Sequence, residues 1–242
     1  MVIQRENLWY IVKKYLPADR KAPILDLGGG TGLWSMRLAQ AGYHTILTDI
    51  SPGVLKRAKE NIKEKGLSEK IKIEQADICD LGKYKESSFA LVLALGDPLS
   101  YCGNAKKALK GIARVLKKHG ILIGDVENRY KIFDGRRASA WKDAKRILSE
   151  GTAFWPDRKN PAPIHQFTPT ELEGLLGEND LQVINMYPSN LVWSLVSSEL
   201  IQHEIRSEKV LKEMINLERK LRGDKHLLGC GFEIQFVAKN QN

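Results

Sequence analysis

The sequence has no long hydrophobic run and few cysteines. None of its apolar stretches approaches the roughly 18 residues that a membrane-spanning helix requires, and residues 1–6 lack the apolar core of a signal peptide. Its three cysteines, Cys79, Cys102 and Cys230, are far apart and form no CxxC pair, which argues against a disulfide framework and a zinc knuckle. We therefore expect a soluble, cytoplasmic protein with no membrane association and no bound metal.

Length and charge set broader limits. The 242 residues, 43% of them hydrophobic, are enough for one sizeable core, so a single domain with insertions is the default. The formal net charge of +9 favours anionic partners such as nucleic acid, phosphorylated metabolites or acidic lipids. Lysine-rich surfaces also serve solubility, so the charge alone leaves the partner open.

The segment 24–51 is the most informative stretch. An apolar run ends in a glycine cluster, a helix-period run follows and is closed by Gly42, and a second apolar run ends on Asp49. This order predicts a strand, a helix and a second strand, with a ligand loop at the first turn.

The chemistry of that loop follows from its glycines. Gly28, Gly30 and Gly32 place no side chain where the strand turns into the helix, so a ligand can approach the bare backbone. Asp49 ends the second strand, where a carboxylate can accept hydrogen bonds from ribose hydroxyls. Leu33 occupies the position where a dinucleotide fingerprint needs a small residue. These features predict a nucleoside-bearing ligand and disfavour NAD.

Asp26 followed by glycines at every second position resembles the signature of class I S-adenosylmethionine (SAM)-dependent methyltransferases. The resemblance implies an α/β fold: a doubly wound, Rossmann-like seven-stranded sheet with the last strand antiparallel, in three α/β/α layers over residues 1–242. It also implies SAM as cofactor and S-adenosylhomocysteine as product, with Asp77 accepting the adenine amino group beside Ile78. The expected cofactor contacts are Asp26, Gly28, Gly30, Gly32, Asp49, Ile50, Asp77, Ile78 and Leu95.

Periodicity predicts the remaining elements. The amphipathic stretch 5–16 predicts a leading helix, whose Trp9 and Tyr10 either pack or line the site. Further strands are expected at 71–76, 89–95, 121–126, 181–187 and 231–238, and helices at 52–66, at 105–116 and from Pro169 onward. Lys117 and Lys118 suit the C-terminal end of the second of these helices.

The residues after the fourth strand are Gly96-Asp97-Pro98-Leu99-Ser100-Tyr101. Some methyltransferases that act on planar amino groups carry an Asp/Asn-Pro-Pro-aromatic motif here, and Leu99 and Ser100 depart from it. The catalytic candidates are Asp97, Tyr101, Glu127 and His165, each of which should lie near the mouth of the site. Each also has a structural interpretation, as a turn cap, a core residue or a hydrogen-bond donor.

Two insertions, at about 127–166 and 188–228, leave from the carboxyl end of the sheet. Ligands of doubly wound sheets bind at that end, so we expect these insertions to form an acceptor-binding lid, although scaffold extension or a dimer surface is the alternative. Neither the acceptor nor the oligomeric state follows from the sequence.

The leading functional hypothesis is a SAM-dependent methyltransferase acting on a small molecule. The alternative is an RNA (tRNA or rRNA) methyltransferase, because the basic run 129–146 has Tyr130, Phe133 and Trp141 interleaved. A solvated basic face on a lid helix explains the same run. A hypothesis of another class is a non-catalytic SAM-binding module.

Overall fold

The computed structural model describes residues 2–134, 141–154, 162–192 and 207–242. Its strands, numbered along the chain, are β1 Ile24–Leu27, β2 Thr45–Asp49, β3 Ile71–Gln75, β4 Phe89–Ala94, β5 Leu116–Glu127, β6 Thr152–Ala153, β7 Ile164–His165, β8 Leu181–Pro188 and β9 Glu233–Asn240. Its α-helices are α1 Val2–Lys14, α2 Leu33–Gln40, α3 Pro52–Glu64, α4 Pro98–Tyr101, α5 Ala105–Val115, α6 Trp141–Glu150, α7 Pro169–Gly177 and α8 Glu208–Leu221. Two short 3-10 helices cover Arg129–Asp134 and Lys225–Cys230.

Seven of these strands form one mixed sheet in the order β3-β2-β1-β4-β5-β9-β8. The pairs from β3 across to β5 are parallel, while β9 runs antiparallel to both β5 and β8. The predicted seven-stranded sheet with an antiparallel last strand is therefore confirmed. The carboxyl ends of β1 to β5 share one edge with the start of β9.

Helices cover both faces of the sheet. On one face α1 and α2 pack Leu8, Ile11 and Leu38 against strand residues such as Ile24 and Leu93, and α3 extends this layer through Leu55, Ala58 and Ile62. On the other face α5 and α7 pack Leu109, Ile112, Leu172 and Leu176 against Leu25, Val92 and Phe236. The fold thus has three layers, with the apolar core divided between the two faces of the sheet.

Side-chain caps set two predicted helix starts. Ser51 accepts a hydrogen bond from the Val54 N–H at 3.4 Å ahead of Pro52, the first residue of α3. Thr168 and Glu171 form a reciprocal capping box around Pro169 at the start of α7. Both starts agree with the sequence pattern.

The C-terminal end of α5 differs from the prediction. The helix ends at Val115, and Leu116 is already extended, so Lys117 and Lys118 lie on β5 rather than in the last helical turn. The side-chain amide of Asn240, on the neighbouring β9, donates to the carbonyls of Ala113 and Leu116 at 3.1 Å. Asn240, which is distant in sequence, therefore provides hydrogen bonds to carbonyl groups at the C-terminal end of the helix.

The insertions leave the sheet at its carboxyl edge, as expected. The first contains α6 and a small antiparallel hairpin of β6 and β7. In the second, α8 packs against α1, where the Arg219 guanidinium donates to Asn7 Oδ1 at 2.9 Å. Tyr10 lies under Arg219 and Arg222 in this contact, so it packs against α8 rather than lining the carboxyl edge.

Candidate active site

The loop after β1 turns sharply because three of its glycines adopt left-handed backbone conformations. The φ angles are +64° at Gly28, +56° at Gly30 and +92° at Gly32, a region that residues with a Cβ rarely enter. A Cβ on Gly28 would lie 2.9 Å from Cβ of Pro98, whereas a Cβ on Gly30 would meet no atom within 4 Å. The loop is thus packed at Gly28 and open at Gly30, beside the N-terminus of α2, and it fits a ligand that presses against the backbone.

Asp26 lies beneath this loop. Its side chain has no exposed surface, its Oδ2 accepts a hydrogen bond from Ser35 Oγ at 2.6 Å, and a Cβ on Gly29 would lie 2.9 Å from that same oxygen. Burial raises the pKa of Asp26 to about 6. The expected direct contact between Asp26 and the cofactor does not fit this placement, because the carboxylate supports the loop from below.

Asp49 is tied to the glycine loop. Its Oδ2 accepts a hydrogen bond from the Gly30 N–H at 3.1 Å and its Oδ1 accepts one from the Ser51 N–H at 2.9 Å. These two bonds fix the carboxylate at the carboxyl end of β2, and each oxygen keeps further acceptor capacity. The next residue, Ile50, exposes 64% of its surface, which leaves an apolar side chain available to a flat ring.

Asp77 follows β3 on the same edge. The Ala76 N–H donates to the Asp49 carbonyl at 3.2 Å, which joins the ends of the two strands. Asp77 is exposed, and its Oδ1 accepts a hydrogen bond from the Cys79 N–H at 2.8 Å, so it caps the turn. The half-buried Ile78 packs against the core on the α5 face. The expected ribose and adenine residues therefore share one edge of the sheet.

The turn after β4 has an unusual backbone. Gly96 has a φ of +94° and Asp97 a φ of +61°, a conformation that costs about 1–2 kcal/mol for a residue with a side chain. Both backbone N–H groups donate to Asp125 Oδ1, at 2.7 and 2.9 Å. Leu95 buries its side chain against the α1 and α2 layer, so any contact of Leu95 with the cofactor is limited to its main chain.

Four carboxylates gather at this turn. Asp97, Asp125 and Glu127 expose 8%, 1% and 3% of their surfaces, and the charge of Glu233 acts on Asp97 and Asp125. The pairing of β5 with β9 sets Glu127 opposite Glu233, and paired residues of antiparallel strands project on the same face. The cluster is therefore built by strand register rather than by one local motif.

Partners for this cluster come from several elements. Lys131 Nζ lies 3.4 Å from Glu127 Oε2 and 4.6 Å from the centre of the Phe232 ring. Glu233 Oε2 accepts hydrogen bonds from Ser189 Oγ, at 2.8 Å, and from the side-chain amide of Gln4 in α1. The leading helix thus reaches the site through Gln4.

Burial and mutual repulsion disfavour ionisation of the cluster. Burial, followed by the charges of Glu233, Asp125 and Glu127, raises the pKa of Asp97 well above its usual value. Burial raises the pKa of Asp125 to about 7, against the hydrogen bonds from the Asp97 and Gly96 amides, and burial also raises the pKa of Glu233. Each effect has the sign expected for carboxylates that share a buried site.

Of the four catalytic candidates, the structure brings three together. Tyr101 Oη donates to Glu127 Oε1 at 3.2 Å, and Glu127 acts on Asp97 through its charge. His165 instead bonds Glu171 Oε1 at 2.6 Å, and Glu171 also pairs with Arg129. His165 also lines a cavity of about 560 Å³ together with residues of α4, α5 and α7.

Sequence reasoning missed Asp125, Glu233, Lys131 and Gln4. One signal was available, since Asp125 is a charged residue inside the apolar run of a central strand, where ionised side chains are rare. Glu233 falls on the polar side of an alternating strand and suggested solvent exposure. Because α1 covers that side, Glu233 is brought into the site instead.

None of the described helices is long and apolar enough to cross a membrane. Within the same ranges, no group of three or more His, Cys, Asp and Glu side chains is arranged to hold a metal ion.

Comparison with known proteins gives a family match and several relatives. Residues 24–120 match the family model described as a methyltransferase domain. The chain is 25% identical over 197 residues to the tRNA 5-carboxymethoxyuridine methyltransferase of Escherichia coli, covering 76% of this chain and 73% of that protein. It is 32% identical over 118 residues to a glycine/sarcosine N-methyltransferase of Parasynechococcus marenigrum, covering 48% of this chain and 41% of that protein.

Solved structures share the fold across nearly the whole chain. A SAM-dependent methyltransferase from Methanosarcina mazei superposes with a TM-score of 0.67 at 20% identity, covering 95% of this chain and 96% of that one. One from Mesorhizobium loti gives a TM-score of 0.62 at 17% identity, covering 97% and 98%. Residues 24–120 thus form a methyltransferase domain, and the chain as a whole has the fold of SAM-dependent methyltransferases.

Proposed function

We propose that SAM binds across the carboxyl ends of β1 to β4. The backbone of the loop from Gly28 to Gly32 receives the ligand, Asp49 accepts hydrogen bonds from the ribose hydroxyls, and Asp77 accepts one from the adenine amino group. The apolar side chains of Ile50 and Ile78 lie on either side of the ring. The open space at Gly30 supports this placement, because a Cβ there would meet no protein atom within 4 Å.

We further propose that the acceptor is a small molecule bound beside the Gly96–Asp97 turn. When bound, SAM supplies a methyl group on a positively charged sulfur, which is already a good leaving group. The protein then has to hold the acceptor in line with that methyl group and to exclude water. The observation that carries this proposal is the buried carboxylate cluster, which lies next to the glycine loop through the Gly28–Pro98 contact and gives a polar acceptor fixed partners.

The rest of the chain completes this arrangement. We propose one domain over residues 1–242, with the insertions at about 127–166 and 188–228 closing over the acceptor. The described α8 packs on α1, and α1 in turn supplies Gln4 to Glu233, so this part of the second insertion holds a helix that reaches the site. A cytoplasmic location is part of the proposal, since SAM is made there.

Calorimetric titration tests the cofactor proposal. We expect saturable binding of SAM and S-adenosylhomocysteine and no binding of NAD. Asp49→Ala should weaken both adenosyl ligands about tenfold or more, the effect of losing a hydrogen bond to a charged group. Asp80→Ala is the matched control, because Asp80 is an exposed aspartate whose carboxylate bonds the Gly82 N–H at 3.2 Å. Equal losses for the two variants would contradict the assignment.

Transfer of label separates an enzyme from a non-catalytic SAM-binding module. Incubation with SAM labelled in its methyl group and a small-molecule cell extract should move label into the metabolite fraction. Tight binding of SAM without any transfer of label would favour the module.

A tRNA acceptor is the second candidate. The relative that aligns over 76% of this chain is a tRNA methyltransferase. Against RNA, the carboxylates around Asp97 would repel phosphates, and the basic run is partly neutralised: Lys131 pairs with Glu127, Arg129 with Glu171 and Arg146 with Asp143. Residues 135–140 of that run lie outside the described part of the chain.

Salt dependence distinguishes the two candidates. If RNA is the acceptor, bulk tRNA should bind at low salt and lose affinity steeply between 50 and 200 mM salt, because bound counterions are released. We expect little binding of tRNA at either salt concentration. Steep, saturable tRNA binding would replace the small-molecule proposal.

A further inference from the structure

The inference below rests on the proposed function and specifies its acceptor. We propose that the acceptor is an amine, whose positively charged nitrogen binds at the carboxylate cluster with Asp97 as its direct partner. Asp125 positions the turn that carries Asp97, while Glu127 and Glu233 supply further negative charge.

Strand register concentrates the negative charge on one face. Asp125 is paired with Gln235 and Glu127 with Glu233 across β5 and β9, so these four side chains share the face that α1 covers. The Gly96–Asp97 turn closes over them through its two hydrogen bonds to Asp125. The buried position makes each uncompensated charge costly, because water is largely excluded.

Two buried polar atoms in this region have no hydrogen-bond partner among the described residues. One is Asp97 Oδ1 and the other is Gln235 Nε2, and the two residues expose only 8% and 2% of their surfaces. Buried polar groups are normally satisfied, so the unpartnered acceptor on Asp97 indicates a bound polar molecule. Gln235, which is paired with Asp125 across the two strands, adds an unpartnered donor on the same face of the sheet. Gln235 carries no charge, so its unpartnered amide is evidence that does not depend on the charges of the carboxylates.

The charge of the cluster indicates the sign of that molecule. The ammonium of Lys131 pairs with Glu127 at 3.4 Å and acts on Asp97 and Glu233 only through its charge. Asp97 has no cation at ion-pairing distance among the described residues. An ammonium group beside these carboxylates would favour their ionised forms and compensate their charge, whereas a carboxylate or phosphate acceptor would add to the repulsion.

The same carboxylate can prepare an amine for methylation. The bound ammonium gives one N–H proton to Asp97, which frees the lone pair on nitrogen. The new N–C bond forms as the methyl–sulfur bond breaks, and the electron pair of the broken bond stays on sulfur. The methylated amine now carries the positive charge, and Asp97 returns its proton to solvent. Burial raises the pKa of Asp97, which makes this carboxylate a better proton acceptor for an ammonium ion.

A matched set of small probes tests the inference without any turnover. Ethanolamine, ethylene glycol and glycolate share a two-carbon frame and differ in a positive, neutral or negative group. Each is titrated calorimetrically at pH 8 into the full chain saturated with S-adenosylhomocysteine. We expect ethanolamine to bind about tenfold or more tightly than either analogue, because only it carries a charge opposite to the cluster. Equal binding, tighter glycolate binding or no binding of all three would overturn the inference.

Variants locate the binding. Asp97→Asn should weaken ethanolamine binding about tenfold or more. The affinity of the same variant for S-adenosylhomocysteine should stay within about twofold of the wild-type value. Asp80→Asn is the control for the loss of one negative charge and should bind both ligands like the wild type. Lys131→Met removes the competing ammonium and should strengthen ethanolamine binding. If Asp97→Asn does not fold, Lys131→Met still decides, since weaker binding in that variant would contradict the inference.

The outcomes also distinguish failure of the amine assignment from failure of the proposed function. Failure of the wild-type chain to bind S-adenosylhomocysteine would refute the proposed function itself. Normal binding of S-adenosylhomocysteine together with indifference to ethanolamine would refute only the amine assignment.

Discussion

Replacing Gly30 by alanine should weaken cofactor binding strongly while leaving the fold nearly intact. Gly30 has a φ of +56°, and an added Cβ would meet no protein atom within 4 Å. The methyl group would therefore occupy space that we assign to SAM. Gly66 is a matched control, because its φ is +65° and an added Cβ there also meets nothing within 4 Å. Gly66 lies between α3 and β3, at the opposite edge of the sheet.

The expected magnitudes follow from this match. Each alanine forces a left-handed conformation that costs about 1–2 kcal/mol of stability, and about 1 kcal/mol lowers the melting temperature of a domain of this size by roughly 2–4 °C. Both variants should therefore melt about 2–8 °C below the wild type. Gly30→Ala should in addition weaken S-adenosylhomocysteine binding about a hundredfold, equivalent to about 2.8 kcal/mol, because the ligand loses its close approach to the backbone.

Calorimetric titration at 25 °C, below both transitions, separates strain from obstruction. Gly66→Ala should bind S-adenosylhomocysteine like the wild type, and the ligand should raise its melting temperature. Two results would refute the reasoning. Wild-type affinity in Gly30→Ala would show that the cofactor does not occupy the space beside this glycine, and equal weakening in both variants would show that strain alone reduces binding.

Further predictions concern Asp26 and His165. Burial raises the pKa of Asp26 from 3.8 to about 6, so the folded state takes up this proton before the unfolded state does as the pH falls. On this account Asp26 adds up to about 3 kcal/mol to the free energy of unfolding as the pH falls from above 6 to below 3.8, at about 1.4 kcal/mol per pKa unit. Asp26→Asn should reduce the dependence of the free energy of unfolding on pH. Urea unfolding of the wild type and the variant at pH 4.5 and 7 measures this difference. An equal change in the free energy of unfolding between the two pH values in both proteins would contradict the burial argument. His165→Ala should lower the free energy of unfolding by about 1 kcal/mol through the lost bond to Glu171 and leave labelled-methyl transfer unchanged, whereas a large fall in transfer rate would place His165 in the chemistry.

The glycine loop and the strand that ends on Asp49 were accessible to sequence reasoning because their signals are local. Gly28, Gly30 and Gly32 fall at positions that need left-handed backbone, and Asp49 ends the next strand, so a short stretch contains both features. The starts of α3 and α7 were likewise marked by capping residues next to proline. Such contacts depend on neighbours along the chain, which the sequence displays directly.

The carboxylate cluster that we assign to the acceptor was not accessible, because its contacts join distant segments. Asp125 and Glu233 meet through the register of two strands that are more than a hundred residues apart. His165 was placed near the site by its position after an insertion, but the β6–β7 hairpin and Glu171 hold it beside α7. The end of α5 was misplaced for the same reason, since its capping amide belongs to Asn240.

The two ends of the chain are suited to different experimental uses. Gln4, near the start of α1, donates to Glu233, so an affinity tag fused ahead of this helix would disturb the carboxylate cluster that we assign to the acceptor and lower the measured activity. The opposite terminus follows β9, whose last residue is anchored to α5 at the far edge of the sheet. Affinity tags, and the linkage used to immobilise the protein for binding assays, should therefore be placed at the carboxyl terminus.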